Sequence, residues 1–386
     1  MKKEMMTRNP NMFLTILMTF ALTQSVWAAS EKPISSIAVE AETGLVLHEE
    51  NADIVRPPAS MIKLMAMLLV SEGIDEGRWT LEQPIIASRK AQHMGGTQVY
   101  LEAGDSHTLE QLMQAVSVAS ANDATMAVAE GLWGSEEAYL EAMNVRAAEL
   151  GMSSSEFHSV HGLPPDRGEE FDKTTARDMA LLGRACARHE RIMAWTNLRS
   201  IQFREGEPRK YTTNKLMRRR DDMDGMKTGY IRAAGFCITA TLKKDGVRVI
   251  SVVMGHPDKM ERFRLAERLL DEGVANVRSG TLVLGGLEDG ISVEVANCEI
   301  EEISLAVAEP IVATTLREDW DRIEVVWEHP KTLTAPIKKG AKVGVVKAML
   351  GDTVLGETDI TVTEALAEAS WLWKVEKSVR DWLDGD

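Results

Sequence analysis

The sequence predicts an α/β sandwich built on an antiparallel sheet, followed by a smaller all-β unit and a C-terminal amphipathic helix. Three observations carry this reading. Strand-like alternation at the start of the chain and again after Gly235 brackets a long stretch of helical periodicity. Beyond about residue 278 the texture changes to short apolar runs separated by Gly, Pro and Asp. The end of the chain then places apolar residues at helical spacing. A length of 386 residues is enough for two domains, each with its own core.

In order along the chain, Lys2, Lys3 and Arg8 precede an apolar stretch from Met12 to Leu22 that closes on Val26-Trp27-Ala28. This is the pattern of a secretory signal peptide, residues 1–28, cut after Ala28, and the apolar stretch is too short to span a bilayer. Ser36 to Glu40 and Gly44 to His48 read as a β-hairpin. Pro57-Pro58 ends extended chain and opens a helix that is apolar nearly all round, the mark of a helix buried inside a domain. Leu109 to Leu150 and Thr174 to Arg188 have helical periodicity, and the run Val118 to Ala124 suits a turn that interrupts the first of these stretches. Phe236 to Leu242 and Val247 to Met254, joined at Lys244-Asp245-Gly246, form a second hairpin, and a helix from about Met260 to Leu270 follows.

The all-β unit is expected over 278–363, with strands at Thr281 to Leu284, Ile291 to Val295, Ile303 to Val307, Ile323 to Trp327 and Lys342 to Met349. Residues 29–277 form the first domain and 364–386 the C-terminal segment, whose helix from Leu366 to Leu383 gathers Trp371, Leu372, Val375, Val379, Trp382 and Leu383 on one face. Such a face suits a membrane interface, although acidic residues outnumber basic ones in the segment and weaken attraction to anionic lipid.

The chain carries 44 Lys+Arg against 59 Asp+Glu, a net charge of −15. An acidic surface does not attract a phosphate backbone, so nucleic acid is excluded as a partner class. Cys186, Cys237 and Cys298 are an odd set without metal-ligand spacing and read as small buried hydrophobes. His158 and His161 form H-x-x-H, but no further ligand pattern completes it, so neither a metal nor a cofactor is expected.

Three short motifs carry chemistry: Ser60-Met61-Ile62-Lys63, Ser120-Ala121-Asn122 and Lys227-Thr228-Gly229. In this order they give S-x-x-K, S-x-N and K-T-G, the arrangement of serine acyl-transfer enzymes. Ser60 stands at a helix start, where backbone N–H groups favour developing negative charge. Lys63, three residues on, shares its face and reaches the hydroxyl. A lysine of ordinary pKa, about 10.4, is protonated and no base, so burial beside another cation such as Lys227 has to lower it. Ser120 is placed to relay a proton and Asn122 to bond the lysine and a substrate amide. Lys227-Thr228-Gly229 reads as an edge strand, with Lys227 and Thr228 facing an anion and Gly229 admitting a close backbone approach.

These residues resemble the serine D-alanyl-D-alanine carboxypeptidases, the low-molecular-mass penicillin-binding proteins of the penicillin-binding protein 5 type (peptidase S11). The likeness extends to Pro58-Ala59-Ser60-Met61-Ile62-Lys63-Leu64-Met65, Ser120-Ala121-Asn122-Asp123-Ala124, His161-Gly162-Leu163, Thr175-Ala176-Arg177-Asp178-Met179-Ala180 and Asp224-Gly225-Met226-Lys227-Thr228-Gly229-Tyr230. It implies a helical cluster around a five-stranded antiparallel sheet, a β-rich domain and a C-terminal anchor. The implied reaction is removal of the terminal D-alanine from peptidoglycan pentapeptides through an acyl-enzyme on Ser60, with β-lactam antibiotics acylating the same serine. Lys63 is then the base, Ser120 and Asn122 the second element, and Lys227 and Thr228 the carboxylate site. The main-chain N–H groups of Ser60 and Tyr230 form the oxyanion hole, and Arg262 is a further carboxylate-binding residue. Location in the periplasm or on the periplasmic face of the inner membrane follows from the signal and the resemblance together. Ile62 replaces a Thr common in the family and Tyr230 a His found in some members.

Two alternatives compete. A class A-like β-lactamase shares the motifs but needs a glutamate to activate the deacylating water, and Glu156 falls near the expected place without the Leu-Asn that completes that motif. A non-catalytic cell-wall scaffold would be favoured by a missing nucleophile, and Ser60 and Lys63 are both present.

Overall fold

The computed structural model describes residues 33–168 and 170–384. The expected signal peptide, residues 1–28, lies outside the described residues. Strands β1 (Ser35–Glu40) and β2 (Val46–Glu50) form the first hairpin. After the helical region come β3 (Met223–Ile231), β4 (Gly235–Lys244) and β5 (Val247–His256). They build one five-stranded antiparallel sheet in the order β2-β1-β5-β4-β3, so β1 runs in the interior of the sheet and β3 lies at its edge.

The period of two assigns the faces. Ile37 and Val39 point to one side with Ile250, Val252 and Met254, where helices α1 (Lys63–Asp75) and α3 (Ala176–Ala187) pack, along with α2 (Asn122–Trp133). Ala38, Ile238, Ala240 and Val253 point to the other, covered by Phe263, Ala266, Leu269 and Leu270 of α4 (Glu261–Asn276). A sheet covered on both faces explains why every residue of β1 is buried. Helix α1 is buried over most of its circumference, as its lack of a polar face requires.

The helical stretch from Leu109 to Leu150 is interrupted, as the run Val118 to Ala124 suggests. A short helix, Leu109–Gln114, widens into a turn over Ala115–Ala119, and the chain reverses at Ser120, whose φ is +58°, before α2 begins. This break is what brings the S-x-N motif inward rather than along a helix face.

Beyond α4, the strand Val277–Val283 pairs with Ile311–Leu316. A six-stranded sheet follows in the order Ile323–Glu328, Lys342–Leu350, Thr353–Val362, Glu302–Val307, Gly286–Ala296, Thr332–Thr334. Its core gathers Val293, Leu305, Val346, Ala348 and Ile360. The final helix α5 spans Trp371–Asp384 and so starts later than expected. Leu366 instead pairs with Ile337 and is 1% exposed, closing the β core. On α5, Trp371, Leu372, Val375, Val379 and Trp382 are all exposed. No described helix is long and apolar enough to cross a membrane. All three cysteines are buried and free.

Candidate active site

Ser60 sits in a single tight helical turn, Ala59–Ile62, that runs directly into α1. Lys63, the first residue of α1, is fully buried. Its Nζ donates to Ser60 Oγ at 3.2 Å, to Asn122 Oδ1 at 2.7 Å and to the carbonyl of His161 at 2.7 Å. This is the reason that a lysine tolerates an otherwise apolar helix: its amine is saturated by polar partners at its tip. Burial, and then the charge of Lys227, hold its pKa well below the ordinary value of 10.5, while Asp172 and Asp123 oppose the shift.

Lys227, 1% exposed on edge strand β3, donates to Ser120 Oγ at 2.8 Å and to the carbonyl of Thr228 at 3.1 Å. Burial, helped by the charge of Arg262, pulls its pKa down to about 7. The structure thus brings the motif residues together in two sets, Lys63 with Ser60 and Asn122, and Lys227 with Ser120, with Lys227 near enough for its charge to act on Lys63. Asn122 is turned the right way for this by donating through Nδ2 to the carbonyl of Gly95 at 2.7 Å, which leaves Oδ1 for Lys63.

Gly229 has a packing role of its own. A Cβ there would lie 2.7 Å from the carbonyl oxygen of Pro58 and 3.2 Å from Ala59 Cβ, so the close approach is that of β3 to the turn carrying Ser60. Gly162 plays the same part from the opposite side: with φ at +80°, its Cβ would fall 2.2 Å from the carbonyl oxygen of Ala59. Tyr230 follows on β3, 54% exposed as a residue, with its ring stacked on that of Phe236 at 4.3 Å between centroids.

Arg262 departs from expectation. It is 4% exposed, and its Nη1 donates to the carbonyls of Gly229 at 3.0 Å and Cys237 at 2.9 Å, with the guanidinium 4.5 Å from the Phe263 ring centroid. The resemblance implies a carboxylate-binding arginine here. As placed, Arg262 braces β3 and adds positive potential near Lys227. Glu156 is also displaced from its expected role: its carboxylate pairs with Lys173 at 3.3 Å and with His158 at 3.4 Å on an exposed part of the surface.

Several residues escaped the sequence reading. Thr213 accepts the hydroxyl of Thr228 at 2.7 Å and so orients it. Asp172, buried, accepts from the main chain of His158 and Ser159 and from Ser159 Oγ, and Ser159 Oγ in turn accepts from Gly162 N, which fixes the loop that delivers the His161 carbonyl to Lys63. Thr97 binds both Ser120, through its carbonyl, and Asn122, through its amide. Main-chain acceptors and bracing threonines carry no spacing signal, so only His161-Gly162-Leu163, as part of the resemblance, pointed to this neighbourhood. His161 itself is held neutral, with burial and Lys63 lowering its pKa to about 4.

Residues 23–258 match the family model for D-alanyl-D-alanine carboxypeptidase of peptidase S11, and residues 288–368 match that for the penicillin-binding protein 5 C-terminal domain. D-alanyl-D-alanine carboxypeptidase DacF of Bacillus subtilis is 31% identical over 352 residues, covering 90% of this chain and 89% of the relative. Among solved structures, D-alanyl-D-alanine carboxypeptidase DacD from Francisella tularensis superposes with a TM-score of 0.64 at 26% identity, over 87% of this chain and 94% of that one. Penicillin-binding protein D2 from Listeria monocytogenes, in its ampicillin-bound form, matches with a TM-score of 0.56 at 29% identity, over 62% of this chain and 96% of that one. With motifs, fold and both family models in agreement, the chain belongs to the peptidase S11 family of D-alanyl-D-alanine carboxypeptidases.

Proposed function

We infer that this protein is a serine D-alanyl-D-alanine carboxypeptidase that removes the terminal D-alanine from peptidoglycan pentapeptides through an acyl-enzyme, and that penicillins acylate the same serine. The single observation that carries the mechanism is the fully buried Lys63 amine held between Ser60 Oγ, Asn122 Oδ1 and the His161 carbonyl. With its pKa lowered, this amine accepts the Ser60 proton as Oγ attacks the penultimate D-alanine carbonyl. The oxyanion forms opposite the main-chain N–H groups assigned to Ser60 and Tyr230. Collapse breaks the peptide bond, and Ser120 passes a proton to the departing D-alanine nitrogen while receiving in its place the proton that Lys63 took from Ser60, so that the Lys63 amine is neutral again. Water then attacks the ester, giving its proton back through Lys63, and Ser60 leaves as the restored hydroxyl.

Lys227 and Thr228 are assigned to the substrate carboxylate. A Lys227 poised near 7 when the cleft is free becomes the protonated form when an anion arrives, because an opposite charge favours it. Gly229 serves by packing against the Ser60 turn, and Arg262 acts as a positioning residue for β3 rather than as a direct ligand. The exposed pairing of Glu156 with Lys173 speaks against a water-activating glutamate of the β-lactamase kind.

The division into residues 29–277 as catalytic domain, 278–363 as β domain and 364–386 as a terminal helix belongs to this reading. So do export after cleavage at Ala28 and location in the periplasm or on the periplasmic face of the inner membrane. The exposed Trp371, Leu372, Val375, Val379 and Trp382 support membrane-surface contact by α5. The activity is tested by incubating the chain from residue 29 with a pentapeptide ending in D-Ala-D-Ala. Stoichiometric appearance of free D-alanine and tetrapeptide is expected. An intact pentapeptide beside a well-folded protein contradicts it.

A further inference from the structure

Among the described residues, Ala59, Tyr100 and Ser120 are the ones with positive φ, at 49°, 60° and 58°, that are neither glycine nor asparagine nor aspartate. A left-handed backbone is uncommon for such residues and persists only where the surroundings over-determine it. Ala59 and Ser120 are explained by the site, one preceding the nucleophile and the other being the S-x-N serine. Tyr100 belongs to neither, and the residue is 68% exposed.

Its backbone is clamped from both sides. Val99 N and Leu101 N donate to the buried carboxylate of Asp123, the residue after Asn122, at 3.1 and 3.0 Å. Arg204, itself paired with Asp105, donates to the carbonyls of Val99 and Tyr100 at 2.7 and 3.0 Å. The same loop holds Ser120 and Asn122 through Thr97. Facing the ring, Lys210 Nζ lies 5.1 Å from its centroid, on the segment that continues to Thr213, the partner of Thr228. Tyr100 and Lys210 therefore join the loop that fixes the S-x-N motif to the segment that flanks K-T-G. An exposed aromatic residue held in this way, where the segments that brace two catalytic motifs meet, is free to touch a ligand and does not serve the core.

We propose that Tyr100 and Lys210 form a rim subsite for the acyl side chain of the substrate, the ring taking a flat apolar group and the Lys210 ammonium favouring a carboxylate on it. This rests on the acyl-enzyme reading of Ser60. The probes are 6-aminopenicillanic acid, which has no acyl side chain, benzylpenicillin, which adds a phenylacetyl group, and carbenicillin, which adds a carboxylate to that group. Second-order acylation rates are read by intact mass for the wild type, Tyr100→Gly, Tyr100→Phe and Lys210→Met, together with melting temperature.

Tyr100→Gly should slow benzylpenicillin about five- to tenfold, the size of a lost aromatic contact, and change 6-aminopenicillanic acid less than twofold. Its melting temperature should rise as the left-handed position is relieved. Tyr100→Phe should keep the wild-type rates. Lys210→Met should slow carbenicillin about threefold relative to benzylpenicillin, as suits an exposed charge pair. An equal loss for all three compounds in Tyr100→Gly would mean that the ring acts through Ser120, and unchanged rates would mean that it does nothing; either overturns the subsite. A wild type that forms no adduct with any penicillin overturns the acyl-enzyme reading, and the subsite with it.

Discussion

Between β1 and the end of α4 the interior holds Lys63, Asn122, Asp123, Asp172, Lys227 and Arg262, none more than 4% exposed. Beyond Val277, Thr315 is the single buried polar residue among the described residues, and the core is Val, Ile, Leu and Ala with Cys298. Both units fold around sheets of similar size, so a core of this kind has no need of charge. Burying a cation is costly unless it is closely partnered, and removing it from a fold under no other demand is often neutral or stabilising. The buried lysines of the first unit are therefore explained by chemistry, and the second unit is explained by packing alone.

That contrast breaks or sharpens under mutation. The largest effect is expected from Lys63→Ala, which removes the base and should slow acylation about 10²- to 10⁴-fold, measured by penicillin adduct formation on a folded sample. In the β unit the mirror experiment is Ile360→Ala, at a fully buried position. It should cost about 2–5 kcal/mol in denaturant unfolding of that unit while leaving the acylation rate per folded molecule unchanged.

The pH response comes next. Lys63 and Lys227 both have folded-state pKa values below the ordinary 10.5, Lys227 at about 7. The unfolded chain therefore binds more protons than the folded one between these values, and the lysine contribution makes the first unit gain stability as pH rises through that window. Acylation should likewise fall as pH drops and the Lys63 amine becomes protonated. The β unit, with no buried lysine among its described residues, should lack this response, which thermal melts of the two units from pH 7 to 10 would separate. The smallest effect is expected from Thr213→Val. Losing one oriented hydrogen bond to Thr228 should slow acylation about two- to tenfold with little change in stability.

Much of this was legible in the chain. The two hairpins of the five-stranded sheet, the apolar α1 and the three motifs follow from alternation, periodicity and spacing. The strand Thr353–Val362 was not, because Gly356 and the outward Glu357 and Asp359 interrupt its apolar run. The turn at Ser120 was legible in the run Val118 to Ala124, whereas the widened turn over Ala115–Ala119, of good helical composition, was not. In the site, side chains were read more easily than main chain. The His161 carbonyl that holds Lys63, and the Pro58 carbonyl that Gly229 accommodates, are chosen by fold geometry and not by residue type. Arg262 shows the converse: its identity suggested a carboxylate ligand, and its burial against two main-chain carbonyls makes it a brace.

The most direct test of the account is the intact mass of the chain from residue 29 after addition of benzylpenicillin, followed by peptide mapping. One adduct per molecule, located on Ser60 and missing in Ser60→Ala, is the predicted result. An adduct on another residue, or none on a folded wild-type protein, would contradict the claim that the buried Lys63 activates Ser60.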